Sequence, residues 1–319
     1  VSYQAKGQRL GARLGALRPP SVQAVDPVIV PIRDDEIPFG PDPTTTAPET
    51  ATEGPRLHGF KFLPEVLRGR GELAIPPLDE LTVLIFGTPG VGKTSLVAGR
   101  PDTMFISTEP GTSFLRVPSV QVRDWATFEA VIDELVEFKA RGDLPYRSVA
   151  IDIVDNLAGY CLDAVCRAKG VTYPPENDFG KTWKQIRLVW EDKLRLLMDT
   201  VGVSFLTHCA TEKREAKGRI GTIEIDCVVP TFRGNKQAQY LDGIVDAMGY
   251  VHKNAAGQHV INFQNRPNSA AKDRTGVLSS LGDIVIQAPN ADPSVIWSML
   301  SDAYLTNAKT LGFTVKAST

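Results

Sequence analysis

Cysteine is scarce in this chain, four residues in 319, and no two of them have C-x-x-C spacing. Cys161, Cys166, Cys209 and Cys227 fall on apolar strand or helix patterns, which argues against a zinc site or a disulfide scaffold and predicts buried, reduced thiols. Long hydrophobic runs are missing too. No stretch approaches the roughly 18 apolar residues that a membrane-spanning helix needs, and none has the core of a signal peptide. A soluble, cytoplasmic protein with no membrane partner is expected. Nor is there an excess of one charge: 35 Lys plus Arg stand against 37 Asp plus Glu, so the global balance carries no signature of nucleic acid or membrane surface. At 42% hydrophobic residues the composition is that of one large globular domain or two small ones.

Proline is present but unevenly placed. Ten of the 23 prolines lie between Pro19 and Pro64, with the low-complexity run Pro41-Asp42-Pro43-Thr44-Thr45-Thr46-Ala47-Pro48, so this segment cannot sustain helix or sheet. Residues 1–72 therefore read as a disordered tail and linker. Its first 18 residues carry Lys6, Arg9, Arg13 and Arg18 without an acid, and Phe60, Phe62, Leu63, Val66 and Leu67 have the pattern of a short packed element. Residues 73–290 read as the main domain and 291–319 as a C-terminal helix and tail.

From residue 81 onward apolar runs alternate with amphipathic stretches. Strands are predicted at 81–86, 103–107, 148–154, 201–207, 222–229, 247–252 and 259–264. Helical spacing occurs at Trp125, Phe128, Val131, Ile132 and Leu135, and again at Trp183, Ile186, Trp190, Leu194 and Leu197. Such an order predicts an α/β fold, a mostly parallel sheet flanked by helices. The later strands, with turn signals such as Asn254-Ala255-Ala256-Gly257, look like appended antiparallel hairpins.

The most specific signal is Gly87-Thr88-Pro89-Gly90-Val91-Gly92-Lys93-Thr94-Ser95, a complete G-x-x-x-x-G-K-[ST] phosphate-binding loop directly after the first apolar run. The glycines let backbone N–H groups turn inward on phosphates, and the helix that follows aims its positive dipole end at them. Lys93 would reach the terminal phosphates, and Thr94 would put its hydroxyl on a Mg2+ ion brought in with the nucleotide. Ser148-Val149-Ala150-Ile151-Asp152, an apolar strand ending in an acid, has the form of the Walker B element; this strand is expected beside the phosphate-loop strand, with Asp152 facing the ion's waters. The residue after Asp152 is Ile153 rather than Glu, so a catalytic glutamate has to come from elsewhere. Glu109, after the strand Thr103 to Ser107, is the candidate to orient the attacking water. A third strand ends in Thr207-His208, where His208 is a candidate γ-phosphate sensor; a purely structural histidine fits the same position.

Together with Arg266-Pro267 and Lys272-Asp273-Arg274-Thr275-Gly276, these motifs in this order resemble the phage-type RecA-like P-loop ATPases, which include single-strand annealing and recombination proteins. The resemblance covers about residues 75 to 290. It implies a RecA-like core, self-association into a ring or filament, ATP hydrolysis between subunits, and single-stranded DNA as partner, in the host cytoplasm if the protein is phage-encoded. Ser107 stands where such proteins often carry Asp before the Thr-Glu pair. In the same resemblance Lys272 and Arg274, two apart on an extended strand, correspond to a pair that reaches a neighbouring subunit's γ-phosphate; a solvated basic loop accounts for them equally.

A local basic stretch, Thr211 to Lys236, carries Lys213, Arg214, Lys217, Arg219, Arg233 and Lys236 among Gly218, Gly221 and Gly234. It reads as a flexible DNA-binding loop, with a solvated charged face as the competing reading. Phe179 to Lys184 adds aromatics able to stack on bases, although Trp183 also fits a helix core. Other classes fit less well. A GTPase needs Asn-Lys-x-Asp, and Asn235-Lys236-Gln237-Ala238 lacks the aspartate, so ATP is favoured by elimination. A small-molecule kinase needs clustered lid arginines, absent outside these loops. An ATP-dependent loader or switch acting through protein partners stays open.

Overall fold

The structure is a computed structural model and describes residues 74–217, 222–231, 236–286 and 292–316. The Pro-rich segment and the element expected at residues 60–67 lie outside the described residues. The described part begins with β1 (Ala74–Ile75) and β2 (Val83–Gly87), followed by α1 (Lys93–Ala98), β3 (Thr103–Ser107), β4 (Ser119–Gln121) and α2 (Trp125–Arg141). Next come β5 (Ser148–Asp152), α3 (Val154–Ala168), α4 (Lys181–Thr200), β6 (Gly202–Thr207), β7 (Cys209–Lys217), β8 (Thr222–Pro230) and α5 (Lys236–Ile244). The chain continues through β9 (Ala247–Lys253), β10 (His259–Asn262), β11 (Asn265–Arg266), β12 (Ser269–Ala270), β13 (Lys272–Asp273), β14 (Asp283–Val285), α6 (Pro293–Thr310) and β15 (Thr314–Val315).

The central sheet runs β14-β10-β9-β2-β6-β5-β3-β4, with β13 also on β9. Strands β9, β2, β6, β5, β3 and β4 are mutually parallel, whereas β10, β13 and β14 join antiparallel. The α/β class with appended antiparallel strands follows as expected, and the Asn254 to Gly257 turn closes the β9–β10 hairpin, with Asn254 N–H donating to Gln258 O at 2.9 Å. One detail differs from the sequence reading. The acid-bearing strand β5 is not beside the phosphate-loop strand β2, because β6 lies between them. Strand order is set by long-range pairing and leaves no trace in local periodicity.

Alternation within each strand divides the core in two. Leu84 and Phe86 face the layer built by α2, α3, α4 and α5, packing with Phe128, Leu157, Trp190 and Leu241. Val83 and Ile85 face the opposite layer, where α1 contributes Leu96 and Val97 and α6 contributes Trp297, Leu300 and Tyr304. Local signals set the helix ends. Asp124 caps α2 by accepting from Thr127 N at 2.7 Å, and Gly142, in the left-handed region at φ 78, ends it; such a cap contributes about 1 kcal/mol.

The C-terminal helix is stapled to the first elements. Trp297 Nε1 donates to Asp79 Oδ1 at 2.5 Å and Tyr304 Oη to Pro76 O at 2.9 Å. A Cβ added at Gly99, just after α1, would stand 1.9 Å from Pro293 O, so only glycine admits α6 this close.

The stretch expected as a flexible loop is largely a hairpin. Strands β7 and β8 pair from Cys209↔Pro230 to Lys217↔Thr222. The run Thr211 to Lys217 is polar on both faces and so shows no period-2 signal, and the ladder is held by backbone pairing.

Candidate functional site

The phosphate loop is built by a strand that stops against its neighbour. A Cβ at Gly87 would lie 2.3 Å from Val251 O on β9, so β2 can turn there only with glycine. Gly90 and Gly92 take left-handed conformations, φ 73 and φ 100, the kind of backbone that lets N–H groups turn toward an anion. Gly92 caps α1 without a side-chain acceptor, leaving first-turn N–H groups available to an anion. Thr88, Pro89 and Val91 complete the loop, and Ser95 follows Thr94 in the first turn of α1.

Lys93 is only 6% exposed and folds back over the loop, donating to Gly87 O at 3.0 Å and Thr88 O at 3.1 Å. Burial pulls its ammonium below the ordinary lysine value, while Asp152 and Glu109 pull the other way. Thr94 Oγ1 donates to Asp152 Oδ2 at 2.8 Å, which joins α1 to β5 across the intervening β6. Asp152 is itself buried, and desolvation raises its pKa against the opposing Thr94 hydrogen bond and Lys93 charge.

Glu109 follows β3 and is partly exposed, its Oε1 lying 3.9 Å from His208 Nε2 and accepting from Asn156 Nδ2 at 3.3 Å. Asn156 also donates to Thr108 Oγ1 at 3.3 Å. The Thr108 hydroxyl in turn accepts from Ile153 N at 2.9 Å, and Thr108 N donates to Asp152 O at 2.8 Å. The ends of β3 and β5 are thus one hydrogen-bonded unit. Sequence reasoning missed Thr108, Asn156 and Asp155, polar residues that in isolation look like ordinary helix-start and turn residues. Asp155 accepts from Thr207 Oγ1 at 2.6 Å and from Thr231 Oγ1 at 2.5 Å, while Thr231 N donates to His208 O at 3.0 Å. Both ends of the β7–β8 hairpin are therefore fastened beside His208.

Gly92, Lys93, Thr94, Glu109, Asp152 and His208 line one cleft of about 390 Å³. A second cavity, of about 440 Å³, adjoins the loop's first half and is lined by Thr88 to Val91 with Tyr250, His252 and Lys253.

The remaining candidates lie elsewhere. Lys272 pairs in register with Met248, and Met248 with Leu84. That is the end of the sheet away from Gly87, about 10 Å along β2 at 3.3 Å per residue. Lys272 Nζ and Arg274 Nη2 donate to the carbonyls of Asp242 and Gly243, so both cations cap the C-terminal end of α5. Arg266 pairs with Asp283 at 3.2 Å.

In the hairpin Lys213 pairs with Glu224 at 3.0 Å and Arg214 with Glu212 at 3.8 Å. Lys217 closes β7 and Lys236 opens α5. Arg219, Arg233, Gly218, Gly221 and Gly234 lie outside the described residues. Phe179 is 93% exposed, and Trp183 is half-buried, edge-on to Tyr173 at 5.6 Å. No helix among the described residues is long and apolar enough to cross a membrane.

A phosphate loop between strand and helix, an acid two strands along the same parallel sheet and a hydroxyl-to-carboxylate contact joining the two define a P-loop NTPase core. The chain belongs to the AAA domain family, which it matches over residues 79–275, more than half its length. It is also similar to the SPbeta prophage-derived uncharacterized protein YorG of Bacillus subtilis (strain 168), 26% identical over 140 residues. That match covers 43% of each chain, so this chain spans less than half the length of that relative.

Proposed function

We propose that the chain is a Mg2+-dependent ATPase of RecA-like type that acts on single-stranded DNA in recombination, annealing or replication. The observation that carries the hydrolytic part is the convergence of Lys93, Thr94, Asp152, Glu109 and His208 on one cleft. Lys93 exchanges its two loop carbonyls for the β- and γ-phosphate oxygens, and the first-turn N–H groups of α1 hold the same phosphates. Thr94 and Asp152 offer oxygen donors of the kind Mg2+ takes, and the ion when bound neutralises charge developing on the phosphates. Glu109, held by Asn156, orients the water. His208 reads the γ-phosphate, and its fastening to Thr231 passes that state to the hairpin. ATP is favoured over GTP because the guanine-reading motif is incomplete.

The DNA part rests on the resemblance and on the basic residues of the hairpin and its flanks, among them Lys213, Arg214, Lys217 and Arg219. The relative's prophage origin agrees with a phage setting. Self-association into a ring or filament would bring Lys272 and Arg274 of one subunit to a neighbour's nucleotide. A second reading, an ATP-dependent loader or switch working through protein partners with weak hydrolysis, is favoured by one observation: Lys213 and Arg214 are already paired with glutamates. The deciding experiment measures ATP turnover with and without single-stranded DNA while light scattering follows assembly. Stimulation by DNA with a rise in mass supports the first reading; slow turnover indifferent to DNA supports the second.

A further inference from the structure

Three aromatic rings climb from the core to the phosphate loop. Phe86, fully buried on β2, stacks on its register partner Tyr250 with centroids 5.2 Å apart and planes at 24°. Tyr250 stacks on His252, two residues further along β9 and therefore on the same face, at 4.6 Å and 9°. His252 is half-buried, its Nδ1 shielded from water with no hydrogen-bond partner among the described residues. It and Tyr250 line the cavity of about 440 Å³ whose opposite wall is the loop itself, Thr88 to Val91.

The two cavities beside the loop differ in chemistry. The first carries the carboxylates of Glu109 and Asp152 with Lys93 and Thr94, a setting for phosphate, cation and water, and among the described residues its one aromatic side chain is His208 next to Glu109. The second has two near-parallel rings and Lys253, and no acid among the described residues that line it. Pro89 and Gly90 border both, so one ligand threading the loop can occupy the two at once. Planar heteroaromatics gain most by offset stacking on rings already ordered, since no side-chain entropy remains to be lost.

We propose that this second cavity is the nucleobase subsite, with the base of the bound nucleoside triphosphate stacked on His252 as the fourth ring of the Phe86–Tyr250–His252 series. The inference rests on the nucleotide-binding reading and adds the part of the ligand that the phosphate loop itself cannot recognise. Affinity then divides between two places: the loop holds triphosphate whatever is attached to it, and the rings hold the base.

The test compares Mg-ATP with inorganic tripolyphosphate on the full chain, together with a fluorescent 2-aminopurine riboside triphosphate whose emission is quenched on stacking. Wild-type protein should bind all three and quench the probe. His252→Ala should weaken ATP by roughly 5- to 150-fold, the worth of one stacked base, abolish the quenching and leave tripolyphosphate binding unchanged. His252→Phe, which keeps a ring for the base to stack on, should recover ATP binding and quenching, and equal melting temperatures will show that the variants fold. Equal losses for ATP and tripolyphosphate in His252→Ala, or none for either, overturn the subsite. So does a loss of oligo(dT) binding with the preference for ATP over tripolyphosphate intact, which would give the rings to a nucleic-acid strand. Wild-type protein that binds neither ATP nor tripolyphosphate would remove the nucleotide reading itself, and the subsite with it.

Discussion

Thr94 Oγ1 and Asp152 Oδ2, 2.8 Å apart, hold each other across a strand that belongs to neither. Lys93 likewise turns onto Gly87 O and Thr88 O, so the loop, α1 and β5 are joined through side chains of the site. Buried polar groups left without partners cost about 1–3 kcal/mol each. Each of these groups therefore has a partner within the site itself.

Asp152→Asn should stabilise the ligand-free protein and at the same time impair it. The native carboxyl titrates above its ordinary value because burial disfavours the anion. The folded state therefore binds the proton more tightly than the unfolded chain, and this favours folding in acid and is lost as pH rises through the raised value. Asparagine removes that loss, so its melting temperature should exceed wild type at neutral pH and converge with it below the ordinary carboxylate pKa. The Mg2+ concentration needed for half-maximal turnover should rise. Thermal melts across pH with a Mg2+ titration check both, and a variant less stable at neutral pH would show that burial of the charge is not the dominant cost.

Glu109→Gln should keep ATP affinity and lose at least two orders of magnitude in turnover, the usual contribution of a positioned base. Asn156→Ala, which frees the Glu109 carboxylate without touching the phosphate loop, should lower kcat about tenfold with Kd for ATP unchanged, in keeping with the cost of misplacing a catalytic group. Lys93→Ala should instead lose ATP binding. Single-turnover rates beside equilibrium binding separate the three, and an Asn156 variant that loses affinity in step with rate would make it a structural residue only.

The hairpin makes a prediction in salt. Replacing Lys213, Arg214, Lys217 and Arg219 together should flatten the log–log salt dependence of single-strand binding by roughly 0.7 for each phosphate that the protein no longer neutralises. Basal ATP turnover should survive. Exposed ion pairs such as Lys213–Glu224 are worth roughly 0.2–1 kcal/mol, so they restrain a competing phosphate only weakly. An unchanged slope would place the DNA contact elsewhere or favour protein partners.

Lys272 and Arg274 carry two separable consequences. As caps on α5 their joint replacement by alanine should cost about 1 kcal/mol of stability. As a pair acting on a neighbour, the same change should cut turnover by roughly 10³ or more. Mixing this variant with Glu109→Gln protein distinguishes them, since one interface in the mixture pairs an intact Glu109 with an intact cation pair. Recovered turnover shows action between subunits; two co-assembled but inactive partners leave the cations as caps alone.

What the sequence made legible is what depends on spacing. The phosphate loop needs its glycines at fixed offsets from Lys93, and strands such as Thr103 to Ser107 declare themselves by an apolar run, so the α/β class could be read directly. The order of the strands could not, because the insertion of β6 between β2 and β5 is decided by pairing between segments far apart in the chain. Strand β7 was hidden for a different reason: its side chains are polar on both faces, and only β8 makes it a strand. Asn156 and Asp155 escaped notice because their partners, Glu109, Thr207 and Thr231, are remote in sequence. The α5 carbonyls that hold Lys272 and Arg274 are remote in the same way.

The 1.9 Å approach that a side chain at Gly99 would make to Pro293 O ties the far end of the chain to the nucleotide's doorstep. Helix α1 has only six residues and cannot be steady alone. Its outer surface rests on α6, which begins at Pro293, well after the family match ends at 275. Cutting the chain at that boundary would remove the floor beneath Leu96 and Val97 and loosen the turn that presents Lys93. The stretch matched to the family is thus shorter than the stretch that packs around α1, because Trp297, Leu300 and Tyr304 share its core.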